Sequence, residues 1–116
     1  MPRFLAVYTM KPEDLARFRS LPKPEQDAID TVGFKQWVDW EARNAASLPD
    51  RGGMVGKTTR VTKEGIAGAV NPFCGYIVVE AETIEDAASL FENHPHFSVF
   101  PGDGVDIMPF LTEPAS

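Results

Sequence analysis

An α+β, ferredoxin-like βαββαβ fold with a four-stranded antiparallel sheet is what the sequence predicts, and three observations carry that expectation. Strand-like and helix-like segments follow one another as strand, helical segment, strand, strand, helix, strand. The stretch NPFCGYIVVEAETIEDAASLFENHPHFSVFPGDGVDIMPF contains a β-rich run, a capped helix, a His-Pro-His turn and a closing strand. The strands carry apolar side chains on both faces, whereas helices in this topology cover only one. A second sheet is therefore expected on the other face, and a second copy of the chain is its simplest source.

Each element has a local reason. RFLAVYT, residues 3 to 9, places Leu5 and Val7 on one face and Phe4, Ala6 and Tyr8 on the other, which suits a central strand. Pro12, Glu13 and Asp14 then fit a first helical turn, and that short helix is expected to end near Leu21. A second helical stretch opens at Glu25, with Gly33 expected to break or bend it. From Phe34 to about Leu48 a long helix is expected, with Phe34, Val38, Ala45 and Leu48 as its apolar stripe, Trp37 beside them and Trp40 on the flank. Glu41 falls on that stripe, where it either snorkels past the core edge or points into a cavity.

Met54 to Thr62 reads as an edge or strongly bent strand, and 63–72 as a loop or ragged hairpin connection. Phe73 to Ala81 is the third strand. Thr83 with Asp86 forms an acidic variant of the capping box ahead of the stripe Ile84, Ala87, Ala88 and Phe91. Pro95 ends that helix near His94, and Gly104 to Leu111 closes the sheet. Residues 1–111 make a single domain, and 112–116 read as a frayed tail.

Composition narrows the function classes. Hydrophobic residues are 43% and charged residues 24% of the 116, the balance of a soluble globular domain. No signal sequence or membrane span is evident, so a cytoplasmic location is expected. The single cysteine, Cys74, excludes an internal disulfide and a cysteine-based zinc site, and its strand position suggests a buried thiol. A net charge of −6 with no basic cluster argues against a nucleic-acid partner. GGMVGKT ends like a phosphate loop, but the first glycine of that pattern falls on Arg51, and a strand rather than a helix should follow Lys57. Elbow serines, HExxH helices, calcium loops and dinucleotide fingerprints are absent from the sequence. No cofactor and no metal site is expected.

The run GYIVVEAETIEDAASLF, then HPHF, then GDGVDIMPF resembles the YCII-related (DGPF-type) family of small dimeric α/β-barrel proteins, most strongly from about Gly52 to Phe110. The resemblance implies a homodimer joined through the sheet face. It also implies a histidine and aspartate pair in some members, with the histidine just after the first strand. This chain has Asp14 there instead, while the aspartate preceding the second strand has a counterpart in Asp50. A dyad in this chain would need His94 or His96.

The two histidines are the strongest candidates for chemistry. His94 follows Phe91 at helical spacing and should point toward the sheet, whereas His96, one proline later, should not share its direction. Together they could serve as acid and base or as metal ligands, although no third ligand is obvious. Alternatively, His94 caps the last helix carbonyls and His96 bonds locally. Tyr8, Tyr76, Glu80 and Asp106 are expected on the face opposite Leu5, Ile77, Val79 and Ile107, where they would line a small-ligand cavity with His94 at its mouth. Asp50 would orient an imidazole, and Lys57, Trp40 and Glu41 would be outer substrate-binding members. Two function classes stay open: a small-molecule enzyme using histidine acid/base chemistry, and a non-catalytic ligand-binding or structural dimerisation module.

Overall fold

A computed structural model describes residues 1–112. Strand β1 (Arg3–Thr9) is followed by α1 (Pro12–Arg19), α2 (Lys23–Arg43) and a 3-10 turn at Ala45–Ser47. Strands β2 (Asp50–Met54), β3 (Thr58–Thr62), β4 (Gly65–Ala69) and β5 (Phe73–Glu80) come next. Helix α3 (Ile84–Ser89), the short helix α4 (Pro95–Ser98) and β6 (Gly104–Pro109) complete the chain. The main sheet has the order β2-β5-β1-β6, and its neighbours are all antiparallel. This is the ferredoxin-like arrangement, with β1 and β5 at its centre. The frayed tail expected from residue 112 lies, beyond Thr112, outside the described residues.

Directly opposed residues of an antiparallel pair point to the same face, so the register assigns the two sides. Tyr8 faces Gly75 and Val105, Ala6 faces Ile77 and Ile107, and Phe4 faces Val79. These residues, with Trp40, Leu48, Ala87 and Phe91, build the core beneath the helices. Leu5, Val7, Tyr76, Val78, Asp106 and Met108 occupy the other side, which none of the described helices covers. The expectation that Tyr8 shares a face with Tyr76 is therefore wrong: Tyr8 lies on the helix-covered side with Ile77, and Tyr76 lies opposite.

Helix α2 departs from the expected pattern. It runs unbroken through Gly33, and its inward positions are Gln26, Ile29, Gly33, Trp37, Trp40 and Glu41 rather than a stripe led by Phe34 and Val38. Phe34 is 71% exposed and Val38 is 47% exposed. A methyl group at Gly33 would overlap the Phe100 ring, so the glycine lets the helix approach the segment after α4 closely. Trp40, expected on the flank, is buried, and its indole donates to the Leu90 carbonyl at 2.7 Å. Two tryptophans supply the contact area that an aliphatic stripe would otherwise give.

The segment expected as one bent strand from Met54 to Thr62 is divided. Met54 ends β2, and Thr58–Thr62 pairs with Gly65–Ala69 as a separate hairpin. Gly65 turns that hairpin at φ +126°, and Thr62 Oγ1 accepts from the Glu64 amide. Within β2 the register slips between Asp50 and Gly53, where Gly52 takes φ +57° against the Tyr76 carbonyl. This is a bulge in an edge strand.

Around α3 the local signals held. Thr83 Oγ1 accepts from the Asp86 amide at 3.1 Å. His94 is extended at ψ 141° ahead of Pro95, as the proline ring requires. Helix α3 is shorter than expected, however, since turns occupy residues 90–93 up to Asn93 at φ 59°. The Cys74 thiol is half-buried rather than fully enclosed, and it donates to the Tyr8 carbonyl at 3.3 Å.

Candidate functional site

A cavity of about 520 Å³ opens between α2, the edge strand β2 and the end of β1. Its aromatic walls come from Tyr8, Phe34, Trp37, Tyr76 and Phe100, and Met10 and Met54 add further apolar surface. Its polar members are Asp30, Glu41, Arg51 and His96. This size and lining lie within the range of small-molecule sites. Phe34, exposed on its helix, is thereby explained as a wall of the cavity rather than part of the core.

Local structure places each histidine. Pro95 at the first helical position holds His94 extended as the N-cap of α4, and His94 Nδ1 accepts from the His96 amide at 3.0 Å. His94 is thus the start of a new helix, not a cap on the carbonyls of the preceding one. One residue past Pro95, His96 turns its ring back under β1 and its Nε2–H donates to the Thr9 carbonyl at 2.7 Å. The Gly102 α-carbon leaves room for that ring, because a methyl group there would overlap both the His96 carbonyl and its imidazole.

The two imidazoles do share a direction, against expectation. His94 is 0% exposed and His96 is 1% exposed. The Tyr8 ring centroid lies 5.3 Å from His94 and 5.1 Å from His96. Trp37 meets His94 edge-on at 4.5 Å and Trp40 meets it at 4.6 Å. The short helical turn of α4 carries both rings to the same side of the chain, which spacing alone did not reveal.

Burial sets the protonation states. Desolvation pushes His94 down to about 3, with the neighbouring His96 adding to the effect. Desolvation also lowers His96, opposed in part by the bond to the Thr9 carbonyl and by Asp103. Both rings are therefore neutral at pH 7. Tyr8 is raised by burial, then by the charge of Glu41 and by Cys74, so it remains a phenol. With Nε2–H committed to Thr9, His96 keeps its lone pair on Nδ1.

Among the expected site residues, the structure brings Tyr8, Tyr76, Glu41 and His96 to the cavity wall. It does not bring the others. His94 lies behind Tyr8 and is not part of the wall, and Trp40 is buried in the core. Asp50 is exposed and its carboxylate accepts from the Gly52 amide at 2.9 Å, so it braces the β2 bulge instead of orienting an imidazole. Lys57 is exposed in the connection between β2 and β3 and is not among the lining residues. Arg51, Asp30 and Phe100 were missed. The signals that pointed to them were Gly33 and Gly102, small residues flanking an aromatic ring and an imidazole, and the paired glycines that bulge the strand beside Arg51.

Among the described residues there is no cluster of histidine, cysteine and acidic side chains suited to a metal ion, and no helix is long and apolar enough to cross a membrane. No family model matches the chain, and no curated protein matches its sequence. Among solved structures, the chain is similar to 5-chloro-2-hydroxyhydroquinone dehydrochlorinase (TftG) from Burkholderia phenoliruptrix AC1100, in complex with 2,5-dihydroxybenzoquinone. The TM-score is 0.57 at 15% identity, over 93% of this chain and 92% of that one. The two chains share a fold.

Proposed function

We propose that this chain is a YCII-like small-molecule enzyme whose cavity takes a small planar ring compound and moves a proton on it. The observation that carries this reading is a neutral imidazole and a buried phenol, Tyr8 and His96, on the wall of an aromatic cavity of about 520 Å³. His96 Nδ1 would accept a proton from a ring carbon or hydroxyl of the substrate, and the negative charge would then settle on a substrate oxygen. Arg51 is the wall group suited to receive that charge. The fold neighbour, an enzyme held with a hydroxylated quinone, supports a ligand of this class.

A homodimer through the sheet face completes the proposal. Val7 and Val78 are only 8% exposed, but Tyr76 and Met108 beside them are 39% and 40% exposed on a face that none of the described helices covers. A second copy would bury them, and a cytoplasmic setting suits the free thiol of Cys74. Sedimentation of wild type and Met108→Asp checks the dimer: the wild type should run as a dimer and the variant as a monomer. A wild type that is monomeric at micromolar concentration removes it.

The alternative, a non-catalytic binding module, is favoured by one observation. Among the described residues no carboxylate is bonded to either imidazole, and each ring is tied to backbone instead. Deuterium exchange at the ring carbons of 2,5-dihydroxybenzoquinone in heavy water distinguishes the two. Catalysed exchange that His96→Gln abolishes supports the enzyme, because glutamine keeps a donor for Thr9 and lacks the Nδ1 base. Binding of the quinone with no exchange above the buffer rate leaves the binding module.

A further inference from the structure

The stripe that α2 presents to the cavity reads acid, aromatic, aromatic, acid. Asp30, Phe34, Trp37 and Glu41 follow one another at the spacings of a single helical face, and all of them line the wall. The two acids act separately, because Glu41 lies ~16 Å further along the helix axis than Asp30. Asp30 is exposed, as is Arg51 on the β2 bulge, whereas Glu41 is half-buried. The inner carboxylate of the cavity is therefore that of Glu41, and Tyr8 at the end of β1 feels its charge.

The chain leaves that carboxylate free. None of the ion pairs or side-chain hydrogen bonds among the described residues includes Glu41 or Arg51. Nor are the Glu41 oxygens sealed in: among the described residues, the enclosed side-chain polar atoms without a partner are Tyr8 Oη and His94 Nε2. An open, unpaired carboxylate on an aromatic wall is a ready hydrogen-bond acceptor for whatever enters.

Its chemistry restricts the guest. A carboxylate only accepts, so the ligand must bring a donor. The phenolic hydroxyl of a hydroquinone titrates near the tyrosine value of about 10 and keeps its proton at pH 7. The hydroxyl of a hydroxyquinone is conjugated with a ring carbonyl, which makes it a vinylogous carboxylic acid, ionised at pH 7. That oxygen has no proton to give Glu41, and it sets a second negative charge beside the first between apolar walls that screen little.

We propose that Glu41 is a ligand-binding residue that accepts from a protonated ring hydroxyl, so that the cavity takes phenolic rings at the hydroquinone level in preference to hydroxyquinones. The inference rests on reading the cavity as a small-molecule site, and it names the oxidation level of the compound that enters. Arg51 is then left to meet one anionic oxygen, the one that forms after a proton has gone.

Titration of the Trp37 indole resonance in oxygen-free buffer tests this with hydroquinone, its dimethyl ether 1,4-dimethoxybenzene, and 2,5-dihydroxybenzoquinone. The wild type should bind hydroquinone roughly tenfold more tightly than either of the others, the worth of one charge-assisted hydrogen bond. Glu41→Gln keeps the side-chain shape and an acceptor oxygen but loses the charge. In that variant hydroquinone should bind roughly three- to tenfold more weakly, while the hydroxyquinone should bind more tightly. Asp39→Asn removes a charge from the exposed side of the same helix and should change neither affinity. Opposite shifts for two ligands do not arise from a general loosening of the fold. A Glu41→Gln protein that leaves both affinities unchanged or moves them in the same direction overturns the proposal and leaves the cavity reading standing. So does a wild type that takes the ether or the hydroxyquinone as tightly as hydroquinone. A wild type that binds none of the probes removes the cavity reading and the proposal together.

Discussion

Acid should weaken this fold through His94, and the structure sets the size of the effect. The ring is fully buried among Tyr8, Trp37, Trp40 and Phe91, and it titrates at about 3 in the folded chain against 6.5 when exposed. Between those values the unfolded chain binds a proton that the folded chain refuses, so stability falls as pH drops below 6.5 and is fully present above it. The loss from His94 alone is ~2 kcal/mol at pH 5 and ~3 kcal/mol at pH 4, a large share of the 5–15 kcal/mol that holds a typical domain together. His96, also lowered, adds a loss of the same sign. The assay is urea unfolding of wild type and His94→Asn at pH 7.5 and pH 5. The variant starts from a lower stability because it leaves a space among the aromatic rings, but it should lose about 2 kcal/mol less than wild type over that interval. Parallel losses in the two proteins, or a His94 pKa near 6.5 by NMR, would refute the reasoning.

Three further substitutions follow from named contacts. Thr83→Ala removes the acceptor for the Asp86 amide and should cost about 1 kcal/mol by urea unfolding, with the cavity unchanged. Gly102→Ala drives a methyl group into the His96 carbonyl and ring, and should destabilise by about 1–3 kcal/mol while shifting the His96 ring resonances. Gly33→Ala would raise helix propensity in an open helix, yet here it meets the Phe100 ring, so unfolding should report destabilisation rather than the usual gain.

What the sequence by itself determined about this protein is local. The order of elements, the apolar strands β1 and β5, the Thr83 cap and the break at Pro95 were all legible, because each depends on side-chain period or on the geometry of one or two residues. The turn at Gly65 was legible too, and β3 fell within the strand read from Met54 to Thr62, but β4 was read as part of a loop or ragged hairpin connection, since GIAGA has too few large side chains to announce a strand. Only the tertiary structure decided which face each strand presents to the helices. Tyr8 goes with Ile77 because the register of β1 against β5 pairs it with Gly75, and a one-residue difference in register would have reversed that assignment. The inward side of α2 was decided the same way, by a glycine that fits Phe100 and by two tryptophans, not by the aliphatic residues that the helix exposes. The site depends on both choices. His94 and His96 stood out in the sequence, but their convergence on Tyr8, the displacement of Asp50 to a strand bulge and the arrival of Arg51 at the cavity come from contacts between residues far apart in the chain, where local spacing carries no information.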